Sequence, residues 1–293
     1  MTSKKTNSEA LRALAEQQWG KVQMLLFANA RYFPSHQTYN NLGFYLITEG
    51  LLCKNGKVRN ALELGMKYLL KAEKIKFSSI NANAIAKAID LQLRKKHNNK
   101  ETLCREALNH LKNAIAVNFS NELRYNFLRF SYLLNPKDAS LIHQAKELQA
   151  SFSSQETVSL YFEILRQNAR ISEGTDLISN YGHWIDDTDK LMFYAKCKLY
   201  EQGYELCDSI YKQYSMDEFL ISAIIECCLN TGHSAEADMY ISKLQYDGEL
   251  FDVHIESSLE RKNIIEKFIS NQPLFDSCCY FGCHFHKTPW DSL

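Results

Sequence analysis

Apolar residues along this chain recur with the spacing of an α-helix in one segment after another, and nowhere for long with the alternation of a strand. Between Glu101 and Val117, Ala107, Leu108, Leu111, Ala114 and Ile115 fall at i, i+1, i+4, i+7 and i+8, a single stripe on one helix face. Between Lys57 and Ile75 the stripe is Ala61, Leu64, Tyr68, Leu69 and Ala72, and between Ser35 and Gly50 it is Tyr39, Leu42, Leu46 and Ile47. Two helices are predicted from Ser8 to Tyr32, breaking near Gly20 and closed by Pro34. An Ala-rich helix follows from Ser78 to Leu93, then one from Asn121 to Leu134 that Asn135-Pro136 stops. Asp138 offers an N-cap for a run to Ala150, and Ser153-Ser154 caps a helix from Gln155 to Ala169. Further helices are predicted over 172–185, 190–202, 203–214, 217–230, 234–245 and 255–270, with Gly203 and Gly232 placed at helix joints.

That pattern gives thirteen or fourteen helices and no strand. Only 4 Pro and 11 Gly punctuate 293 residues, so the helices are expected to fold as pairs. The expected fold class is all-α, an α-solenoid of stacked antiparallel helix pairs, in which each pair buries its stripe against the next. The domain organisation expected is a polar leader at 1–7, a helical array over 8–270 and a Cys-, His- and aromatic-rich segment at 271–293.

At several of these hairpins the chain resembles the tetratricopeptide repeat family. Tyr39, Leu42 and Gly43 carry its first-helix pattern, with Ala61 as the small residue of the following helix. Tyr125, Leu128 and Tyr132 repeat the first-helix spacing, followed by Ala145. Gly232-His233-Ser234-Ala235-Glu236-Ala237 matches a turn and second-helix start, and Gly20 with Pro34 resembles a second helix and its closing proline. The repeat spacing is uneven: Gly203 to Gly232 is shorter than the family's period, and Ala61 to Ala107 longer. The resemblance implies a right-handed superhelix whose first helices line a concave groove for an extended peptide or a partner helix. The residues it places in that groove are Asn40 and Phe44 on one helix, and Asn126, Phe130 and Leu133 on another. The Lys and Asn clamp the family uses for a terminal carboxylate has no counterpart, because Asn40 and Asn126 lack basic neighbours in register.

Composition narrows the function classes. Apolar residues are 45% of the chain and charged residues 23%, enough for a sizeable core. The 34 basic and 34 acidic residues balance, which argues against a dedicated nucleic-acid partner. No apolar run reaches spanning length and no signal-peptide core opens the chain, so a cytoplasmic protein without membrane contact is expected. Nine Cys, an odd number, fit a reducing compartment, and Cys53, Cys104, Cys197, Cys207, Cys227 and Cys228 are expected to pack as small hydrophobes.

The signatures of phosphate-binding loops, zinc proteases, serine hydrolases and paired Cys-x-x-Cys motifs are absent from the sequence, so no catalytic residue is assigned and a non-enzymatic protein is expected. Asp186, Asp187 and Asp189 read as an acidic first turn matched to a helix N-terminus, with a cation site as the alternative. The dense chemistry lies in Cys278-Cys279-Tyr280-Phe281-Gly282-Cys283-His284-Phe285-His286. Cys279, Cys283, His284 and His286 form a donor set suited to zinc, the one cofactor the sequence raises. The competing expectations are that this segment's aromatics cap the end of the array, or that it is a redox or enzyme-modified element. The functional expectation is a scaffold or adaptor that holds a protein or peptide partner, with the C-terminal segment as the alternative active element.

Overall fold

A computed structural model describes residues 3–16, 18–52, 60–95, 99–117, 119–213 and 218–244. The described residues form fourteen α-helices and no strand, so the all-α expectation holds. The chain divides into two compact units at the Asn135-Pro136 stop. The first contains α1 (Ser3–Ala15), α2 (Trp19–Tyr32), α3 (His36–Leu52), α4 (Ala61–Ile75), α5 (Ser79–Lys95), α6 (Lys100–Val117) and α7 (Asn121–Leu134). The second contains α8 (Ser140–Ser151), α9 (Gln155–Gln167), α10 (Ile171–Tyr181), a 3-10 turn at Gly182–Trp184, α11 (Asp187–Lys196), α12 (Tyr200–Gln213), α13 (Glu218–Asn230) and α14 (Ser234–Leu244). No helix among the described residues is long and apolar enough to cross a membrane.

Helix starts are set by serine. Ser35 and Thr38 exchange hydrogen bonds between side chain and backbone at 3.0 and 3.2 Å, and Ser154 and Thr157 do the same at 2.9 and 3.3 Å. Each pair satisfies two backbone N–H groups that the first helical turn leaves open. Ser78 and Ser120 cap α5 and α7, accepting from the backbone N–H of Asn81 and Leu123 at 3.2 Å. A phenylalanine precedes all four serines by one or two positions, at Phe33, Phe77, Phe119 and Phe152. In the second unit, α9, α11 and α13 each end at a left-handed residue: Ala169 (φ 49°), Lys198 (φ 59°) and Gly232 (φ 84°). The N–H of the next residue then reaches back to Leu165, Tyr194 and Cys228 at 3.0, 2.8 and 2.9 Å, which turns the chain into the following helix.

Two of the expected joints are corrected. The break near Gly20 falls earlier, around residue 18, and Gly20 sits inside α2 with open space about it. The break at Gly203 falls at Cys197–Leu199, because the Lys198 turn closes α11; Gly203 lies within α12, where its missing side chain admits the Cys227 thiol. The leader expected at 1–7 is partly helical, since α1 starts at Ser3.

In the first unit consecutive helices pack on one another from α1 through α7. The tightest approach joins α3 to α4, where Gly43 and Gly65 face each other. A Cβ built on Gly65 would lie 2.8 Å from the Gly43 carbonyl oxygen, and one on Gly43 would lie 2.9 Å from that of Gly65. Backbone cannot retreat as a side-chain tip can. Gly65→Ala is therefore expected to lower stability by about 1–3 kcal/mol in denaturant titrations, in spite of alanine's better helix propensity. Gly20→Ala meets nothing within 4 Å and is expected to gain up to about 1 kcal/mol. Opposite signs for the same substitution are the check.

Candidate functional site

Helices α3, α5 and α7 carry the densest buried polar chemistry of the described residues. Asn40, Asn83 and Asn126 stand at one constant interval of 43 residues, one on each helix, and all three are closed to solvent. The Asn81 side-chain amide donates to Asn40 Oδ1 at 3.0 Å and to the Leu69 carbonyl at 3.1 Å. The Asn126 amide donates to Asn83 Oδ1 at 2.9 Å. Residues two apart on a helix point to nearly opposite sides, so Asn81 turns α5 toward α3 while Asn83 turns it toward α7. Asp90 lies two turns beyond Asn83 on the same face of α5. Its Oδ1 accepts from Arg129 Nη2 at 2.8 Å, with both side chains fully buried. Two amide pairs and an ion pair thus place buried polar groups across three helices.

Burial of polar atoms is expensive unless each finds a partner, and apolar residues would hold these helices together at lower cost. An asparagine side chain offers two donors and two acceptor lone pairs. Its donor and acceptor lie side by side, as the N–H and C=O of an extended peptide do.

Near this row, Cys104 on α6 is a buried thiol whose pKa is pushed up to about 11, from 9.0, chiefly by burial. The folded thiol resists ionisation more than the unfolded one, so its contribution is intact below pH 9 and is lost as pH rises from 9 toward 11. That loss is on the order of 2–3 kcal/mol by pH 11. Cys104→Ala is expected to flatten the alkaline limb of a stability-against-pH curve; an unchanged slope would assign the limb to other groups.

The residues expected to line an open groove are placed differently. Asn40 and Asn126 belong to the polar row. Phe44, Phe130 and Leu133, the other residues expected to face a groove, are likewise buried. The sequence reading missed Asn81, Asn83 and Asp90, because the alanines around them read only as helix formers; the 43-residue interval marks Asn83 alone, and no such interval marks Asn81 or Asp90. Cys279, Cys283, His284 and His286 lie outside the described residues, as does Cys53. Among the described residues, no group of three or more His, Cys, Asp and Glu side chains is arranged to hold a metal.

The second unit offers less. Asp187 pairs with Lys190 at 2.7 Å within the first turn of α11, and Asp186 stands at its N-cap in extended conformation, in keeping with a helix-start role. Cys207, Cys227 and Cys228 meet in the core of α12 and α13, and Cys197 is also buried. The hydrogen bond that the Cys207 thiol makes to Cys227 holds Cys227 low and, with burial, pushes Cys207 up. Tyr204 stacks on His233 with ring centroids 3.8 Å apart and donates to Glu236 at 3.0 Å. The cysteine cluster and the Tyr204 cluster each join different helices.

No family model, no curated protein and no solved structure matches the chain.

Proposed function

We propose that this protein is a binding scaffold that holds an extended polypeptide segment along the α3–α5–α7 row, within a tetratricopeptide-like stack of helix pairs. The observation that carries it is the placing of Asn40, Asn83 and Asn126 at equal intervals, with Asn126 bonded to Asn83 and Asn40 to Asn81 of the same α5 helix. A ladder of amides spaced by helix diameters of about 10 Å matches a strand crossing them, since such a strand presents a backbone N–H and C=O every few ångströms. Second helices keep the same register. Leu26, Leu69 and Leu111 are fully buried at intervals of 43 and 42 residues, and Ala72 and Ala114 follow them one turn later. That recurrence supports the stacked arrangement. The buried free thiols favour a reducing, cytoplasmic setting.

The test is selection of random twelve-residue peptides on the immobilised full chain, followed by affinity measurement. Enriched peptides are expected to lose at least tenfold in affinity on Asn126→Ala, with the helical spectrum unchanged. Failure to enrich any sequence, or affinities indifferent to substitution along the row, would remove the proposal.

A further inference from the structure

One end of the first unit exposes apolar side chains at a fixed place in its helix-pair pattern. Tyr32, Ile75 and Val117 each stand six residues after a fully buried leucine: Leu26, Leu69 and Leu111. Six steps of about 100° turn a side chain well away from the core that the leucine faces. The three are the last residues of α2, α4 and α6 and are 67%, 53% and 70% exposed; Phe119, in the connector after α6, is 65% exposed. Of the exposed large hydrophobics described in this unit, only Met24 lies elsewhere, about two turns back along α2. Single exposed apolar residues are ordinary, but a set in register along one edge calls for a partner. The connectors that carry them lie together. Asn81 bonds to Asn40 and Asn126 to Asn83, all within the first two turns of α3, α5 and α7, so the chain enters these three helices from one end of the unit. Burial, and after it the charge of Lys76 just beyond α4, holds the His36 pKa at the start of α3 below its ordinary value, as neighbouring connectors would.

The exposed charges among these tips are basic. Arg31, Lys74 and Lys76 flank them, while the nearby acids, Glu122 and the Glu73 that pairs with His110 at 2.7 Å, are partly buried. The guanidinium groups of Arg31 and Arg124 lie over the Tyr32 and Phe119 rings, 5.7 and 5.3 Å from their centroids. Basic residues at helix C-termini offset the helix dipole, which accounts for their charge but not for the apolar tips between them. We propose that this edge docks on an anionic lipid surface, with the four apolar tips entering the headgroup boundary and Arg31, Lys74 and Lys76 meeting the lipid charges. Charge complementarity sets the sign of the partner. The form of the edge favours lipid over peptide: a peptide's apolar face fills a groove, whereas these tips stand out separately, and a fluid bilayer closes round each one. Docking of this kind needs no spanning helix, because only side chains pass the surface. Each basic residue near such a surface contributes roughly fivefold in affinity.

The experiment floats the full chain with vesicles of phosphatidylcholine alone and of phosphatidylcholine mixed equally with phosphatidylserine, at about 0.1 M salt. Flotation is expected with the mixed vesicles only, and it should weaken as salt is raised. The pair Lys74→Glu with Lys76→Glu is expected to lower vesicle affinity at least tenfold. Ile75→Ser with Val117→Ser should lower it by a similar factor, because the tips then gain nothing by leaving water. All four side chains are exposed, so the helical spectrum should not change. Met24→Ser, on an exposed residue away from the edge, is expected to leave flotation as it was. No flotation with the mixed vesicles, or flotation that survives both pairs of substitutions, overturns the proposal. So does a loss confined to the lysine pair, which would make the edge a plain basic patch. If the chain ignores vesicles yet binds a glutamate-rich amphipathic peptide through Ile75 and Val117, the edge serves a protein partner and the lipid assignment falls.

Discussion

Asp90→Ala is expected to destabilise the first unit by about 3–5 kcal/mol, because it strands the fully buried guanidinium of Arg129 without its carboxylate. Total stability of a domain is only about 5–15 kcal/mol, so this single change would bring the unit close to unfolding at ambient temperature. The loss comes from the orphaned charge more than from the absent bond. A double variant, Asp90→Leu with Arg129→Met, removes both charges at similar volume and is expected to recover most of the stability. Urea titration followed by far-ultraviolet circular dichroism reads all three chains. If the double variant is as unstable as the single one, packing of these two side chains matters more than their charge.

The second large effect is expected in the other unit. Phe193 on α11 is fully buried, lies 5.1 Å from the Phe162 ring of α9, and fills the space left by Gly174 on α10. It touches all three helices. Phe193→Ala would leave a cavity the size of a benzene ring and is expected to cost about 3–5 kcal/mol. Phe193→Leu should cost visibly less, since it refills part of the volume. Trp184 stacks on Tyr181 in the 3-10 turn beside these helices, so its fluorescence reports the transition. A loss below about 1 kcal/mol for the alanine variant would show that α9, α10 and α11 can close over the gap.

Much of the secondary structure was legible from spacing alone. The 101–117 and 121–134 helices were placed within a residue, because a 3.6-residue stripe and a stopping Asn-Pro are local facts. Gly203 shows where local reasoning failed. A glycine between two apolar stripes reads as a joint, yet the chain turns at Lys198 and keeps Gly203 for contact with Cys227 on α13. Nothing within a few residues of Gly203 encodes that neighbour. Asn81 and Asn83 failed similarly. On an Ala-rich helix they carry no local signal; Asn83 is marked only by its 43-residue interval to Asn40 and Asn126, and Asn81 only by its cross-helix partner.

The sequence by itself determined the all-α class, the serine start of α9 and the stop of α7 at Asn135-Pro136, since each depends on residues within one or two turns of each other. Tertiary structure alone decided that the chain divides into two units and that Asn40 and Asn126 are interior. It also decided that Asn81, Asn83, Asp90 and Arg129 complete a polar row with them. Those outcomes depend on which helices meet across intervals of about 40 residues. The free energy of such meetings resides in shared burial and paired polar groups, and neither partner's local sequence contains it.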